Sequence, residues 1–194
     1  MADILVSITF KLCKEALEQV IGIKSVLLNS LDMSSEDLSS ELEIKACDFL
    51  LPDSMVNSFK EELIERFRYD SSQYVYFDNY ALFESNGMLA FIPTNQSKAY
   101  LLEKIRKINS ILNDFNADMN SYEPLLFLER QFSVNQFSKI RSLTELKVVD
   151  FEFFCESIFL RLNQLNTSDS YDNFEIKFGN ERLPNFADGQ LRLF

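Results

Sequence analysis

Acid–base chemistry in this sequence would have to use Asp, Glu, Lys, Tyr or Cys, because its 194 residues include no histidine. Histidine is the most common general acid and base near neutral pH and a common metal ligand. Glu43 and Lys45 are the first remaining candidates, since residues two apart on a strand share one face. They could form an exposed ion pair, or they could contact a ligand in a cleft.

Three other side chains could contact an anionic ligand, and all of them lie in the second half of the sequence. A guanidinium suits phosphate or carboxylate because its N–H groups can donate two parallel hydrogen bonds. The candidates are Tyr122, Arg130 and Arg161. Each of them could equally be an ordinary surface residue.

Two apolar residues alternate between Tyr122 and Arg130 on a predicted strand. Leu125 and Phe127 therefore share one strand face. They could fill a space that would otherwise be a cleft. Alternatively, Phe127 could stack on a base or another planar ligand.

The cysteine and glycine content excludes several common site types. Cys13, Cys47 and Cys155 are far apart and odd in number, which is typical of reduced thiols in a cytosolic protein. Only four glycines are present, and no dinucleotide-binding or Walker pattern occurs. We therefore expect no disulfide, no metal and no cofactor.

The charge balance is strongly acidic, with 30 Asp and Glu against 19 Lys and Arg and a net charge of −11. Such a surface repels the phosphates of long nucleic acids, although a few local cations could still hold a small anionic ligand. No apolar run has membrane-spanning length, and 1–10 does not resemble a signal peptide. The sequence predicts a cytoplasmic protein without a membrane partner.

The first half of the sequence predicts three strands and two helices. The strands are Ile4–Phe10, Leu42–Leu51 and the paired runs Tyr74–Phe77 and Tyr80–Phe83. One helix extends from about Leu12 to Ile21 and stops at Gly22. The stretch 29–40 reads as a loop or one helical turn. A second helix is capped by Asp53 or Ser54, and its apolar positions are Met55, Val56, Phe59, Leu63 and Phe67.

The second half predicts the same order of elements. Asn86 and Gly87 form a hairpin turn into a strand at Met88–Ile92. The following elements are a helix at Gln96–Phe115 capped by Asn95, a strand at Tyr122–Arg130, a helix carrying Val134, Phe137, Ile140 and Leu143, and a strand region at Val148–Leu162.

Each half thus reads strand, helix, strand, helix, strand. This repeat predicts an α/β (α+β) fold of two pseudo-symmetric lobes, with antiparallel or mixed sheets flanked by helices and a cleft between the central strands. The domain is expected at 1–162, with lobes at about 1–85 and 86–162. We expect 163–194 to form a linker and a C-terminal extension, with an edge strand at Phe174–Phe178. The end, Leu191–Phe194, either folds back on the core or pairs with a partner's sheet edge.

This element order resembles the 2H phosphoesterases, the family of 2′-5′ RNA ligase-like proteins and cyclic phosphodiesterases. The resemblance implies one His-x-Thr/Ser motif on the central strand of each lobe, with the histidines as general base and acid. The second motif is matched by Tyr122, Pro124 and Arg130, but Leu125 stands in place of His and Phe127 in place of Thr.

The first motif of the family can be placed in two registers. In one register Glu43 occupies the His position and Lys45 the Thr position. In the other, Ile44 and Ala46 occupy them. The resemblance covers about 1–162, and the closing strand ends in Leu160-Arg161, as the family's often does.

Three functions are compatible with this reading. The first is a non-catalytic binding module that works through a protein partner or the inter-lobe cleft. The second is a receptor or sponge that holds a nucleotide or cyclic oligonucleotide without cleaving it. The third is an enzyme of another mechanism that uses Glu43 and Lys45 or a tyrosine, although no nucleophile–base–orienter set is visible.

Overall fold

Nine strands form one curled antiparallel sheet in the part of the chain described by the computed structural model, residues 3–33, 42–129, 132–143, 149–164 and 170–181. The strands are β1 (Asp3–Lys11), β2 (Glu43–Pro52), β3 (Gln73–Phe83), β4 (Met88–Pro93), β5 (Met119–Ser121), β6 (Leu126–Glu129), β7 (Phe151–Cys155), β8 (Ser157–Gln164) and β9 (Ser170–Lys177). The helices are α1 (Lys14–Ser30), α2 (Asp53–Phe67), α3 (Asn95–Asp114) and α4 (Val134–Ile140).

The strand order β7-β3-β4-β6-β2-β1-β8-β9 divides the sheet into two lobes of four strands, while β5 pairs with β2. The two halves of the chain exchange strands, because β3 pairs with β4 and β8 pairs with β1. The predicted α+β class and two-lobed architecture are confirmed. The lobes predicted at 1–85 and 86–162 are successive halves of the sequence. In the structure, one lobe contains β7, β3, β4 and β6 and the other contains β2, β1, β8 and β9, so each lobe combines strands from both halves.

The helices and strands of the first half follow the prediction except at three places. Neither Asp53 nor Ser54 is the N-cap of α2, because the helix begins at Asp53 and its N-cap is Pro52. Gly22 does not stop α1, which continues to Ser30. A glycine inside a helix costs about 1 kcal/mol, but the extended helix buries Leu27 and Leu28 against the protein. Within 29–40, therefore, the first two residues are helical, and 34–40 lie outside the described residues. The two predicted runs from Tyr74 to Phe83 form the single strand β3.

The second half differs mainly at element ends. Thr94 rather than Asn95 caps α3, and its hydroxyl accepts a hydrogen bond from Ser97 N. The predicted strand at 122–130 is shorter, since the described strand residues begin at Leu126. The predicted strand at 148–162 is interrupted at Glu156, and its two parts pair with different lobes.

The C-terminal region belongs to the same sheet as far as it is described. β9 pairs with β8 along its length, so 170–173 are strand rather than linker. Phe178 follows β9 into the core, where its ring stacks on that of Phe67. The predicted behaviour of Leu191–Phe194 lies outside the described residues.

A continuous apolar core lies on one face of the sheet, beneath the helices. Alternation along β1 places Ile4, Val6, Ile8 and Phe10 in this core. The apolar faces of α2 and α3 pack on the same side, including Phe59 and Leu101. No helix in the described ranges is both long and apolar enough to cross a membrane.

A buried ion cluster holds the end of β9 against the helices. Asp70 is almost fully buried and accepts a hydrogen bond from Lys107 Nζ, while Lys104 Nζ forms an ion pair 3.0 Å from Oδ2 outside hydrogen-bond geometry. Lys104 also lies 5.4 Å from the Phe178 ring centroid. The backbone oxygen of Asp70 accepts from Asn180 N, which ties the segment after β9 to this turn.

Asp70→Asn should destabilise the protein by about 3–5 kcal/mol, because it leaves two lysines without their buried counter-charge. Urea unfolding followed by circular dichroism measures the change. Asp114→Asn, which removes an exposed carboxylate at a helix end, is the matched control and should change stability by less than about 0.5 kcal/mol. Equal effects of the two substitutions would contradict a stabilising role for the cluster.

Candidate functional site

The two lobes meet where the central strands β2 and β6 pair. Their register contains a single Cα pair, Ile44 with Leu126, and both side chains are fully buried in the core. Glu43, Lys45 and Phe127 therefore lie on the opposite face of the sheet. We call this surface the central face. Of the two registers considered for the first motif, the structure places Glu43 and Lys45 on it and puts Ile44 and Ala46 in the core.

A bulge in β2 adds Asp48 to the central face. Ile8 of β1 pairs with Cys47, but Thr9 pairs with Lys45, so Ala46 is an extra residue on β2. Such a bulge reverses the alternation of side chains beyond it. Lys45 and Asp48 consequently point to the same side although they are three residues apart. Regular alternation would separate them, and this is why sequence reasoning missed Asp48.

The Asp48 carboxylate organises the polar part of the central face. Its Oδ2 lies 2.6 Å from Lys45 Nζ and accepts a hydrogen bond of 2.7 Å from the Tyr122 hydroxyl. The Lys45 ammonium also lies 4.6 Å from the centroid of the Tyr122 ring, within cation–π range. The cluster joins β2 to the segment after β5, where Tyr122 N donates to Ala46 O.

Burial and ion pairing act in opposite directions on the pKa values of this cluster. Burial disfavours the Lys45 ammonium, but the hydrogen bond to Asp48, the attraction of its negative charge and the contacts with Tyr122 together outweigh burial and raise the Lys45 pKa. Burial also opposes the Asp48 carboxylate, yet hydrogen bonds from Lys45, Tyr122 and Ser7 lower its pKa. The hydrogen bond to Asp48 raises the pKa of the Tyr122 phenol. All three groups thus keep their ordinary charge states at neutral pH.

The other carboxylate oxygen of Asp48 is buried without a hydrogen-bond partner of good geometry in the described part of the chain. Ser7 of β1 is close enough to lower the Asp48 pKa, but its hydroxyl does not satisfy this oxygen. Ser7 and Thr9 are buried on the same side of β1. An unsatisfied buried acceptor is costly and is a position where a ligand can donate a hydrogen bond.

A second ion pair occupies the neighbouring edge of the central face. Arg161 of β8 donates to Glu43 across 3.2 Å, and both side chains are partly exposed. Arg161 is paired with Ser7 across β8 and β1, and Ser7 is paired with Asp48 of β2, so one strand, β1, lies between Arg161 and Asp48. The two candidate cations, Lys45 and Arg161, are each neutralised by a carboxylate.

The predicted apolar pair occupies the β6 side of the central face. Leu125 precedes β6 and is only 4% exposed, although it lies outside the helix-side core cluster. Phe127 is half-buried, and its ring centroid lies 6.3 Å from that of Phe83. Arg130, the remaining predicted site residue, lies outside the described residues.

The central face offers ionic, hydrogen-bonding and aromatic contacts to a ligand. Burial raises the pKa of the Cys47 thiol to about 12, so this cysteine is a neutral core residue. Across the described ranges, no three His, Cys, Asp or Glu side chains are grouped as metal ligands. The central face combines two ion pairs, a protonated phenol and a half-buried aromatic ring.

Comparison with known proteins gives a fold and no close relative. No family model matches the sequence, and no curated protein sequence matches it. The structure of E. coli LigT complexed with 3′-AMP matches with a TM-score of 0.63 at 11% identity, covering 90% of this chain and 96% of LigT. LigT complexed with NADP+ and a crystal structure of a phosphoesterase match with TM-scores of 0.59 and 0.57, each at 10% identity.

The chain has the 2H phosphoesterase fold. The match to the NADP+ complex covers 90% of this chain and 98% of LigT, and the match to the phosphoesterase covers 89% and 97%. The 2H resemblance predicted from the element order is therefore confirmed for the fold. In a 2H fold the central strands carry the motif residues, and here those strands carry Glu43, Lys45 and Phe127.

Asp48→Asn should make the protein less sensitive to acid. The folded-state pKa of Asp48 is lowered, so its contribution is present above the ordinary value of 3.8 and is lost as pH falls through the folded-state pKa. Urea unfolding should therefore show a large stability difference between wild type and variant at about pH 6 and a smaller one at about pH 3. Asp118→Asn, at an exposed position, serves as the control. A difference that is the same at both pH values would contradict this assignment.

Proposed function

We propose that this protein is a non-catalytic binding protein of the 2H fold, which holds a partner or ligand on its central face. The observation that carries the proposal is the identity of the residues at the two motif positions, on or next to the central strands β2 and β6. Glu43 and Lys45 stand at one motif position, and Leu125 and Phe127 stand at the other. Leucine cannot transfer a proton, so a pair of general acid and base at these positions is not available.

The electrostatics of the central face favour a binding partner that is not highly charged. Lys45 is held by Asp48, and Arg161 is held by Glu43. A phosphate group would have to compete with two carboxylates that are already in place. A protein segment or a weakly charged ligand could instead add hydrogen bonds to the buried Asp48 oxygen and apolar contact to Phe127.

A nucleotide or cyclic oligonucleotide receptor is the second candidate, and the aromatic pair of Phe83 and Phe127 favours it. Half-buried rings on an open face can stack on a base, which contributes about 1–3 kcal/mol. Lys45, Tyr122 and Arg161 lie within the same central face, where they could exchange a carboxylate for a phosphate. Structures of LigT with 3′-AMP and with NADP+ show that a protein of this fold accommodates nucleotides.

The acidic composition supports a cytoplasmic location for this binding protein. The three cysteines in the described part of the chain are all free, and two of them are buried. Unpaired buried thiols are common in reducing compartments. With this net charge we expect no long nucleic acid and no membrane among the partners.

Native mass spectrometry of the purified protein should reveal a non-covalent ligand or partner that depends on the central face. The chain contains no tryptophan, so a bound nucleotide would also raise the 260/280 nm absorbance ratio conspicuously. Phe127→Ala and Lys45→Ala should each raise the dissociation constant at least about tenfold, equivalent to ~1.4 kcal/mol. Met55→Ala, which truncates an exposed apolar residue elsewhere, is the control.

The mass of the adduct separates the two candidates. A protein adduct supports the first candidate, and a nucleotide mass supports the second. Binding that is equally strong in the wild type and in both central-face variants would overturn the assignment of the site.

A further inference from the structure

Three exposed aromatic rings form a contiguous surface at the β3–β7 pair, which we call the aromatic patch. Tyr74 and Tyr76 of β3 and Phe154 of β7 are 48%, 46% and 43% exposed. The ring centroids of Tyr74 and Phe154 lie 5.0 Å apart, and those of Tyr74 and Tyr76 lie 6.3 Å apart. Isolated exposed aromatic residues are ordinary, whereas a contiguous cluster indicates an interaction surface.

The aromatic patch is separate from the central face. Ala81 of β3 pairs with Ala90, and Ala90 pairs with Phe127. Tyr76 precedes Ala81 by five residues, which corresponds to about 16 Å along an extended strand. A ligand seated on Phe127 therefore leaves the aromatic patch free for another partner.

The patch borders the end of the sheet. β7 is the terminal strand, and within the described ranges it pairs with β3 alone. On the core side of this edge a groove of about 350 Å³ lies between β7 and α1, lined by apolar atoms of Ile23, Val26 and Phe151. Gly22 also lines this groove. The edge strand thus has an aromatic surface on one side and an apolar groove on the other.

Carboxylates surround this edge. Asp150, Glu152 and Glu156 lie in or beside β7 and Glu18 lines the groove, whereas no lysine or arginine occurs in 150–156. Glu152 pairs directly with Tyr76 across β7 and β3 and raises the pKa of the Tyr76 phenol, which places a carboxylate at the margin of the rings. Aromatic faces and carboxylates together attract guanidinium and ammonium groups.

The same charges exclude a second copy of this chain as the occupant. Two β7 strands paired antiparallel would place their carboxylates opposite each other, and like charges in cross-strand positions are destabilising. They also oppose nucleic acid, because its phosphates would meet the same carboxylates. A basic segment of another protein has neither disadvantage.

We propose that the β7 edge binds an extended segment of a partner protein in which basic and apolar residues alternate. The segment adds a strand to β7 through backbone hydrogen bonds. Its arginine or lysine side chains lie over the aromatic patch beside Glu152. Its apolar side chains, which point to the other face of the added strand, enter the groove between β7 and α1.

The test uses the full chain and a synthetic peptide of about six alternating arginine and valine residues. Fluorescence anisotropy should detect saturable binding to the wild type. Phe154→Ser and Tyr74→Ser should each weaken binding at least tenfold, while Ile64→Ser, at an exposed apolar position on α2, should leave it unchanged. Circular dichroism of each variant verifies that it is folded, and Glu152→Gln provides a conservative change that should weaken binding without altering any ring.

Three results would overturn the proposal. The first is equally tight binding of a peptide with two adjacent central prolines, since one of the two must lie where β7 requires an N–H donor. The second is binding of an alternating glutamate–valine peptide, or of a single-stranded oligonucleotide, that is lost in Phe154→Ser. The third is a dimer of the wild type in sedimentation that Phe154→Ser dissociates, because this would identify a second copy as the occupant.

Discussion

The structure depends on a short seam between its two lobes. The central strands share one register pair, Ile44 with Leu126, and β5 adds three more pairs along the far end of β2. Between these contacts the chain from Tyr122 to Leu125 leaves the ladder, and Asp48 binds Tyr122 across the gap. The partly buried carboxylate of Asp48 therefore connects β2 with the segment between β5 and β6. Its position follows from the bulge at Ala46, because without that extra residue Asp48 would face the core.

The meeting of the two central strands at this seam also explains why charged and aromatic side chains from both lobes lie on one surface. In this architecture the two central strands place side chains from both lobes on one surface. Here that surface carries paired charges, with Lys45 against Asp48 and Arg161 against Glu43, and an aromatic residue beside them.

The sequence predicts the elements well where a hydrophobic period is long, as in α2 and α3, and where a turn has strong chemistry, as at Asn86-Gly87. It fails at α1 because the burial of Leu27 and Leu28 outweighs the local preference of Gly22. It also fails to find Asp48, since strict alternation separates Lys45 from Asp48 and the bulge is a tertiary feature. The exchange of β3 and β8 between the halves could not be read from element order, which contains no pairing information.

The central claim is that this 2H fold binds without catalysis, and a turnover assay tests it most directly. The purified protein is incubated with a panel of linear and cyclic phosphodiesters, and products are quantified by mass spectrometry against a Glu43→Ala variant prepared in the same way. The account predicts no product above the level of a protein-free blank for any substrate, in the wild type or in the variant. Turnover by the wild type that disappears in Glu43→Ala would contradict it and would identify Glu43 as part of a different catalytic site.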